Sequence, residues 1–152
     1  MDVYRIAASR NVRDLRGVGA RIYGGRWNHK GTGIIYTSKS RALATVEYLV
    51  HVPLSIIPAN ISIATLHIPD SIKPKSISVN RLPGNWRRYP SPSRLADIGS
   101  NWVRVNESLL LRVPSAVVAG EFNILINSQH PDMKDITISK IEKYKFDDRL
   151  IK

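Results

Sequence analysis

Short runs of apolar and β-branched residues, separated by glycine, proline and polar breaks, recur along most of the chain. Runs of this kind predict strands. They lie at residues 2–6, 33–37, 61–68, 76–79, 109–113, 116–119 and 122–126, with a weaker run at 21–23. Many short strands with few helices indicate the α+β fold class.

Two segments predict helices. The first covers about Ser40 to His51, with the hydroxyl of Ser38 or Ser40 as its candidate cap, and Pro53 ends it. The second covers residues 93–107, where apolar side chains recur at helical spacing. The prolines between residues 83 and 93 predict a loop. The polar tail over residues 136–146 predicts either a strand pair or a helix.

The first helix carries a carboxylate among its apolar positions. At about 100° per residue, Glu47 falls in the same arc as Leu43, Val46 and Val50, with His51 beside it. A buried carboxylate without a partner is unfavourable. Glu47 therefore opens onto a cleft, is neutral, or is paired at the edge of the apolar stripe, and helical geometry alone leaves these alternatives open.

A glycine-rich segment, Gly24-Gly25-Arg26-Trp27-Asn28, precedes the strand at 33–37. Paired glycines let a ligand approach the backbone closely, and the planar arginine guanidinium matches phosphate. The alternative is a glycine bulge before a strand. Single polar residues among the apolar runs fit packing, turn hydrogen bonds or ligand contacts; they are Tyr36, Ser115, Asn123 and Asn127.

Composition narrows the classes of function. The 152 residues fit one domain, and 23 Lys and Arg against 12 Asp and Glu give a net charge of +11. That charge indicates either an anionic partner or general solubility. Without cysteine there is no disulfide or thiolate chemistry, and the four histidines lack metal-binding spacing, so no metal site is expected. The chain shows no membrane-spanning apolar run and no signal pattern, so we expect a cytoplasmic protein.

Taken together, these segments resemble the RES-domain toxins, a family named for an arginine, a glutamate and a serine. The most specific stretches are residues 24–28, 35–38, 42–51, 113–115 and 123–131. The resemblance extends from Val3 to about Pro131, and the polar tail after Met133 is its least diagnostic part. It implies one domain over residues 1–152 with an ADP-ribosyltransferase-like fold, in which mixed or split β-sheets are flanked by a few helices.

The resemblance also implies an activity and a partner. Known members act on NAD as toxins of type II toxin–antitoxin pairs, and a helix-turn-helix antitoxin, which also offers a means of binding DNA, holds them inactive. The family's catalytic residues correspond to Arg26, Tyr36 and Glu47. Its NAD-binding residues correspond to Arg26, Asn28, Tyr36, His51, Ser115 and Asn127. NAD would be a substrate rather than a cofactor.

The resemblance leaves the acceptor of the ribosyl group open. Water or inorganic phosphate as acceptor would deplete NAD, whereas a protein side chain would make the chain a protein ADP-ribosyltransferase. A nucleic-acid-binding protein or nuclease is a more distant alternative, which explains the net charge and the interleaved Arg87-Arg88-Tyr89 but not Glu47. A pure interaction module is a third alternative, and it predicts no turnover.

Overall fold

Seven strands join one mixed sheet in the computed structural model, which describes residues 1–151. They are β1 (Asp2–Ala8), β2 (Ile34–Ser38), β3 (Ile61–His67), β4 (Lys75–Ser76), β5 (Leu110–Pro114), β6 (Phe122–Asn127) and β7 (Thr137–Lys143). The α-helices of this part of the chain are α1 (Val18–Tyr23), α2 (Arg41–His51) and α3 (Ser93–Val105). Short 3₁₀ turns lie at Leu54–Ile56, Val79–Arg81, Pro131–Asp135 and Asp148–Leu150.

The sheet is nearly divided into two halves. Its strand order is β4-β5-β6-β2-β1-β3-β7, and neighbouring strands are antiparallel except β4 and β5. Strands β1 and β2 meet at one residue pair, Tyr4 with Ser38, whereas β2 pairs with β6 along its whole length. The α+β class predicted from the sequence is confirmed, and Ser38 marks the junction from which the chain enters α2.

Two clusters of buried apolar residues cover the two faces of the β4-β5-β6-β2 half. Side chains alternate along a strand, so Leu110 and Ile124 join one cluster, while Leu111 and Leu125 join the other. The second cluster also contains residues of α3 and the segment before β2, namely Trp27, Leu95, Trp102 and Val103. This half of the sheet is therefore covered on both sides, which fixes the strands that carry the candidate site.

Several predicted elements differ from those in the structure. Residues 21–23 belong to α1, whose start is fixed because the Asp14 carboxylate accepts a hydrogen bond from Val18 N at 2.9 Å. Residues 116–119 form a turn, because the Ser115 hydroxyl accepts hydrogen bonds from backbone N–H groups there. The predicted strand at 76–79 is reduced to Lys75–Ser76, and the tail contributes a single strand, β7, paired with β3.

The predicted limits of α2 are confirmed, but its predicted buried face is wrong. Ser40 Oγ accepts the capping hydrogen bond from Leu43 N at 3.0 Å. Val46 and Val50 are 37% and 56% exposed, whereas Thr45 is buried. The tail explains the difference, because Tyr144 and Phe146 cover the side of α2 opposite Val46 and Val50. Tyr144 forms a hydrogen bond with the Thr45 hydroxyl, and Phe146 stacks on Tyr48. Glu47 lies at the border between the buried and exposed sides.

An α-helix that crosses a bilayer needs about 20 predominantly apolar residues. Within residues 1–151, no helix is long and apolar enough to cross a membrane.

Candidate active site

A narrow cleft of about 40 Å³ lies where α2, β6, the turn after β5 and the glycine-rich segment meet. Four of the residues predicted for the site line it, namely Arg26, Tyr36, Glu47 and His51. Its other lining residues are Trp27, Val113, Pro114, Ala116, Val117, Asn123 and Leu125. The structure therefore gathers the three predicted catalytic residues around one opening, although they come from three separate segments of the chain.

Glu47 is held by uncharged donors. Its Oε1 accepts hydrogen bonds from Ser115 Oγ at 2.6 Å and from Asn123 Nδ2 at 2.7 Å. Its Oε2 lies 3.7 Å from Nε2 of His51, one helical turn further along α2. The Glu47 side chain is 18% exposed, so the carboxylate is fixed on one side and reaches the cleft on the other.

The donors of Glu47 are themselves oriented. Ser115 Oγ accepts hydrogen bonds from the N–H groups of Val117 and Val118 at 3.1 and 3.0 Å, so its own proton is directed at Glu47. Asn123 Oδ1 accepts a hydrogen bond from Ser38 Oγ, which leaves its Nδ2 for the carboxylate. A carboxylate with preoriented donors needs little rearrangement when charge develops next to it.

These contacts set the ionisation of the carboxylate. Burial by itself would raise the pKa of Glu47, but the side chains of His51, Ser115 and Asn123 act in the opposite direction and prevail. The pKa of Glu47 consequently lies below its usual value, and the carboxylate is negatively charged at neutral pH. Of the three alternatives that the sequence leaves open, the structure favours an ionised carboxylate that opens onto a cleft.

Tyr36 connects the cleft to the glycine-rich segment. Its hydroxyl accepts a hydrogen bond from Trp27 N at 3.0 Å and donates one to Asn28 Oδ1 at 2.7 Å. Burial raises the pKa of Tyr36, so the phenol stays neutral. A side chain on Gly25 would place its Cβ 2.8 Å from this hydroxyl, which explains the need for glycine there. The ring of Tyr36, rather than its hydroxyl, is the part available to a ligand.

Arg26 holds a neighbouring loop. Its Nη1 donates to the carbonyl oxygens of Trp86 at 2.8 Å and Arg88 at 3.2 Å. Burial lowers the pKa of Arg26, while the negative charge of Glu47 and the Tyr36 hydroxyl raise it. Within the described chain Arg26 and Glu47 form no ion pair, so opposite charges line the cleft without neutralising each other by direct contact.

The other predicted residues do not line the cleft. Asn28 is buried, and its Nδ2 donates to the carbonyl oxygens of Ala20, His29 and Thr32, so it shapes the glycine-rich segment. Ser115 is buried and reaches the site through Glu47.

Asn127 is bonded to Asn106, at the opposite end of β6 from the cleft. The asparagine that contacts Glu47 is Asn123, which in the sequence is only one of several polar residues among the apolar runs. No local pattern distinguishes it from Asn127, but the antiparallel pairing of β2 with β6 does. That pairing places Asn123 opposite Ser38, beside the start of α2, and Asn127 opposite Ile34.

A larger cavity of about 500 Å³ lies elsewhere, between α3 and strands β4 and β5. Lys75, Arg94, Asp97 and Glu107 line it together with apolar side chains, and none of the predicted site residues does. Over residues 1–151, no group of three or more His, Asp or Glu side chains is arranged to hold a metal ion. The chemistry that the sequence points to is therefore concentrated in the smaller cleft.

The arrangement around the smaller cleft suits a reaction in which positive charge develops on the bound molecule. An ionised carboxylate in a confined site stabilises positive charge that develops on a bound molecule. The Tyr36 ring provides a flat surface for a planar group, and the cationic Arg26 lies at the same opening.

A protein-family model described as "RES domain" matches residues 2–147 of the chain. The chain is 38% identical over 141 residues to the "Prs ADP-ribosylating toxin" of Sphingobium sp., covering 91% of this chain and 88% of that protein. It is 37% identical over 153 residues to "Toxin Res" of Yersinia enterocolitica, covering 99% of both.

The fold also matches a solved structure. The toxin–antitoxin complex MbcT-MbcA of M. tuberculosis contains a chain that aligns with a TM-score of 0.77 at 19% identity, covering 94% of this chain and 83% of that one. At this identity the structural match establishes the fold alone, and the family model and the sequence relatives show which family the chain belongs to.

Proposed function

Because the chain belongs to the RES-domain family, we propose that it is the toxin of a type II toxin–antitoxin pair and an enzyme that breaks the nicotinamide–ribose bond of NAD. The relatives support the first part, since they are named toxins and the solved neighbour is a toxin–antitoxin complex. The observation that carries the second part is the ionised Glu47 carboxylate, held by Ser115 and Asn123 in a cleft shared with Arg26 and Tyr36.

The reaction uses these groups in a simple way. When the bond between C1′ of ribose and the nicotinamide nitrogen breaks, its electron pair leaves with nicotinamide and positive charge develops on the sugar. The Glu47 carboxylate stabilises that charge. Nicotinamide departs as a neutral molecule, so no general acid is required and one carboxylate suffices. Tyr36 orients the nicotinamide ring, and Arg26 contributes positive charge on the side of the diphosphate.

The acceptor then bonds to C1′. Water or a protein side chain releases its proton to solvent in this step, whereas an ionised phosphate oxygen attacks without losing one. With water or inorganic phosphate as acceptor, the enzyme depletes NAD. The second candidate is transfer of ADP-ribose to a protein, and it is favoured by one observation, the name of the Sphingobium relative, an ADP-ribosylating toxin 38% identical to this chain. Both candidates use the same cleft and differ only in what attacks C1′.

The proposed partner is a helix-turn-helix antitoxin that covers the cleft in the cytoplasm and supplies any binding to DNA. A free enzyme that consumes NAD would poison its own cell, so inhibition by occlusion is expected. The support comes from the solved toxin–antitoxin neighbour and from the net charge of +11, which favours a partner with an acidic segment. An antitoxin complex that consumes NAD as fast as the free protein would contradict this part.

The test is release of nicotinamide from NAD by the purified protein, with and without inorganic phosphate. Glu47→Gln keeps an oxygen for Ser115 and Asn123 but removes the charge, so we expect the rate to fall at least about a hundredfold without loss of folding. Glu107→Gln is the matched control, because Glu107 pairs with Lys75 at the surface, beside the larger cavity.

Each outcome separates the candidates. Turnover that depends on phosphate identifies a phosphorolytic enzyme, and turnover without phosphate identifies a hydrolase. Nicotinamide release that requires an added protein target, together with transfer of the ADP-ribose label from NAD to that target, identifies the ADP-ribosyltransferase. If folded wild type does neither, NAD is not its substrate and the proposed enzyme activity is wrong.

A further inference from the structure

Residues 83–92, here called the rim loop, run beside the mouth of the cleft and are fastened to it at two points. Arg26 Nη1 donates to the carbonyl oxygens of Trp86 and Arg88. Arg87 Nε donates to the carbonyl oxygen of Ala116 at 3.3 Å. Arg26 and Ala116 both line the cleft, so the loop is tied to two separate parts of its wall.

The side chain of Arg87 is held in place, but no carboxylate of the described chain pairs with its charge. Its guanidinium carbon lies 5.8 Å from the centroid of the Trp86 ring, and Trp86 packs against the apolar cluster that contains Trp27. Within residues 1–151, Arg87 and Arg88 form no salt bridge, whereas Arg41 and Arg149 are each paired with a carboxylate. The two terminal nitrogens of Arg87 donate to no protein atom of the described chain. A preoriented guanidinium with two free terminal nitrogens matches the oxygens of a phosphate group.

The size of the cleft decides where a ligand's phosphates lie. A cleft of about 40 Å³ has room for a few water molecules. Pockets that enclose a whole small molecule measure roughly 300 to 1,000 Å³. A dinucleotide that places its reacting bond beside Glu47 therefore extends out of the cleft, and its charged middle crosses the rim.

We propose that the rim loop forms the diphosphate-binding edge of the cleft, with Arg87 as its contact to the dinucleotide and Arg26 as the residue that positions the loop. This rests on the proposed function, because it assumes a dinucleotide at Glu47. It gives a role to Arg87-Arg88-Tyr89, the basic and aromatic sequence that otherwise favoured binding of nucleic acid. Inorganic phosphate, the other candidate anion at this site, carries the same chemistry and must be separated by experiment.

The experiment compares steady-state NAD consumption by wild type, Arg87→Gln and Arg94→Gln, with folding checked by circular dichroism and the unfolding temperature. Arg94 is an exposed arginine beside the larger cavity and serves as the matched control. Loss of one charge-assisted hydrogen bond at an exposed site predicts a KM for NAD about tenfold higher in Arg87→Gln, with kcat within about twofold. Arg87→Lys keeps the positive charge but lacks the planar guanidinium group, so its KM for NAD should lie between those of wild type and Arg87→Gln.

The dependence on salt and phosphate supplies a second readout. Because one phosphate contact is lost, KM of Arg87→Gln should rise less steeply with salt than KM of wild type. If instead only the dependence on inorganic phosphate changes, the anion at Arg87 is the acceptor and the assignment to the dinucleotide is overturned.

The remaining outcomes separate this assignment from the proposed function. A KM for NAD within about twofold of wild type, in a variant that folds and turns over, overturns the assignment alone. A fall in kcat at unchanged KM also overturns it, because the loop would then act on the bond-breaking step. Wild type that neither binds nor consumes NAD overturns the proposed function, and this assignment with it.

Discussion

The narrow cleft at Glu47 and the larger cavity beside α3 differ in how their charges are satisfied. In the larger cavity, Glu107 pairs with Lys75 at 2.9 Å and Asp97 contacts His29 at 2.6 Å, and all four side chains are about half exposed. In the cleft, Glu47 is 18% exposed and takes its two short hydrogen bonds from uncharged donors.

This difference shows why volume is a poor guide to chemistry here. Exposed ion pairs are screened by water and cost little to rearrange, so the charges of the larger cavity contribute little to stability or catalysis. A confined carboxylate that keeps its charge and takes its short hydrogen bonds from uncharged donors can act on a ligand at close range. The smaller site therefore has the stronger functional signal, and variants that affect one region and spare the other can test the contrast.

The largest effect is expected at Gly99, where α3 separates the two regions. A Cβ at this position would lie 1.8 Å from the carbonyl oxygen of Trp27, so Gly99→Ala forces the helix away from the segment that carries Arg26. We expect the free energy of unfolding to fall by about 3 kcal/mol, together with loss of activity. Chemical denaturation and nicotinamide release measure both effects.

Gly19→Ala in α1 is the control for this prediction. Nothing lies within 4 Å of the added Cβ, and alanine in a helix is favoured over glycine by about 1 kcal/mol. The control should therefore be as stable as wild type or slightly more stable. Equal stability of the Gly99 variant and wild type would show that α3 does not constrain the cleft.

A smaller effect is expected at the two asparagines of β6. Asn123→Ala removes one donor from Glu47 and should lower kcat about tenfold. Asn127→Ala should leave kcat within about twofold and reduce stability instead, because Asn127 is buried and bonded to Asn106. Reversed results, with kcat reduced only in the Asn127 variant, would restore the role that the family resemblance implied for Asn127.

The asparagines also show how far the sequence predicted the site. Arg26, Tyr36 and Glu47 were predicted as a group from the family resemblance, and the structure brings them to one cleft. The choice between Asn123 and Asn127 depends on which end of β6 lies beside α2, which is set by the pairing of β6 with β2. Pairing of distant strands is not encoded in local patterns, so the motif alone could not choose.

Helix α2 shows the same limit of local sequence patterns for the fold. Its limits follow from local signals, the capping hydroxyl of Ser40 and the proline after its end, and they were predicted well. Its buried face depends on Tyr144 and Phe146, which lie about a hundred residues away in the chain, and was predicted wrongly. For this helix the boundaries were thus within reach of the sequence, while the side on which it packs was not.

The smallest expected effect is on pH dependence. The donors of Glu47 hold its pKa below the ordinary 4.5, so the fall of kcat/KM at acid pH (the acid limb), which reports ionisation in the free enzyme, should lie below that pH in wild type. Ser115→Ala removes one donor and should move the limb to higher pH, with His51 and Arg26 still facing the carboxylate. Initial rates of nicotinamide release across the acid range, at NAD concentrations well below KM, measure the shift.

The matched serine in the other region is Ser108, whose Oγ accepts a hydrogen bond from Trp102 Nε1 beside the larger cavity. Ser108→Ala should leave the acid limb where it is in wild type. The dependence of stability on pH has the same cause. A carboxyl group whose pKa is lowered by folding stabilises the fold at pH values above its unfolded pKa, and this contribution is lost as the pH falls through the lowered value. Acid unfolding of Ser115→Ala should accordingly lose less stability between neutral and acid pH than wild type. An equal shift in both serine variants would mean that the limb reports general loosening of the fold and not the donors of Glu47.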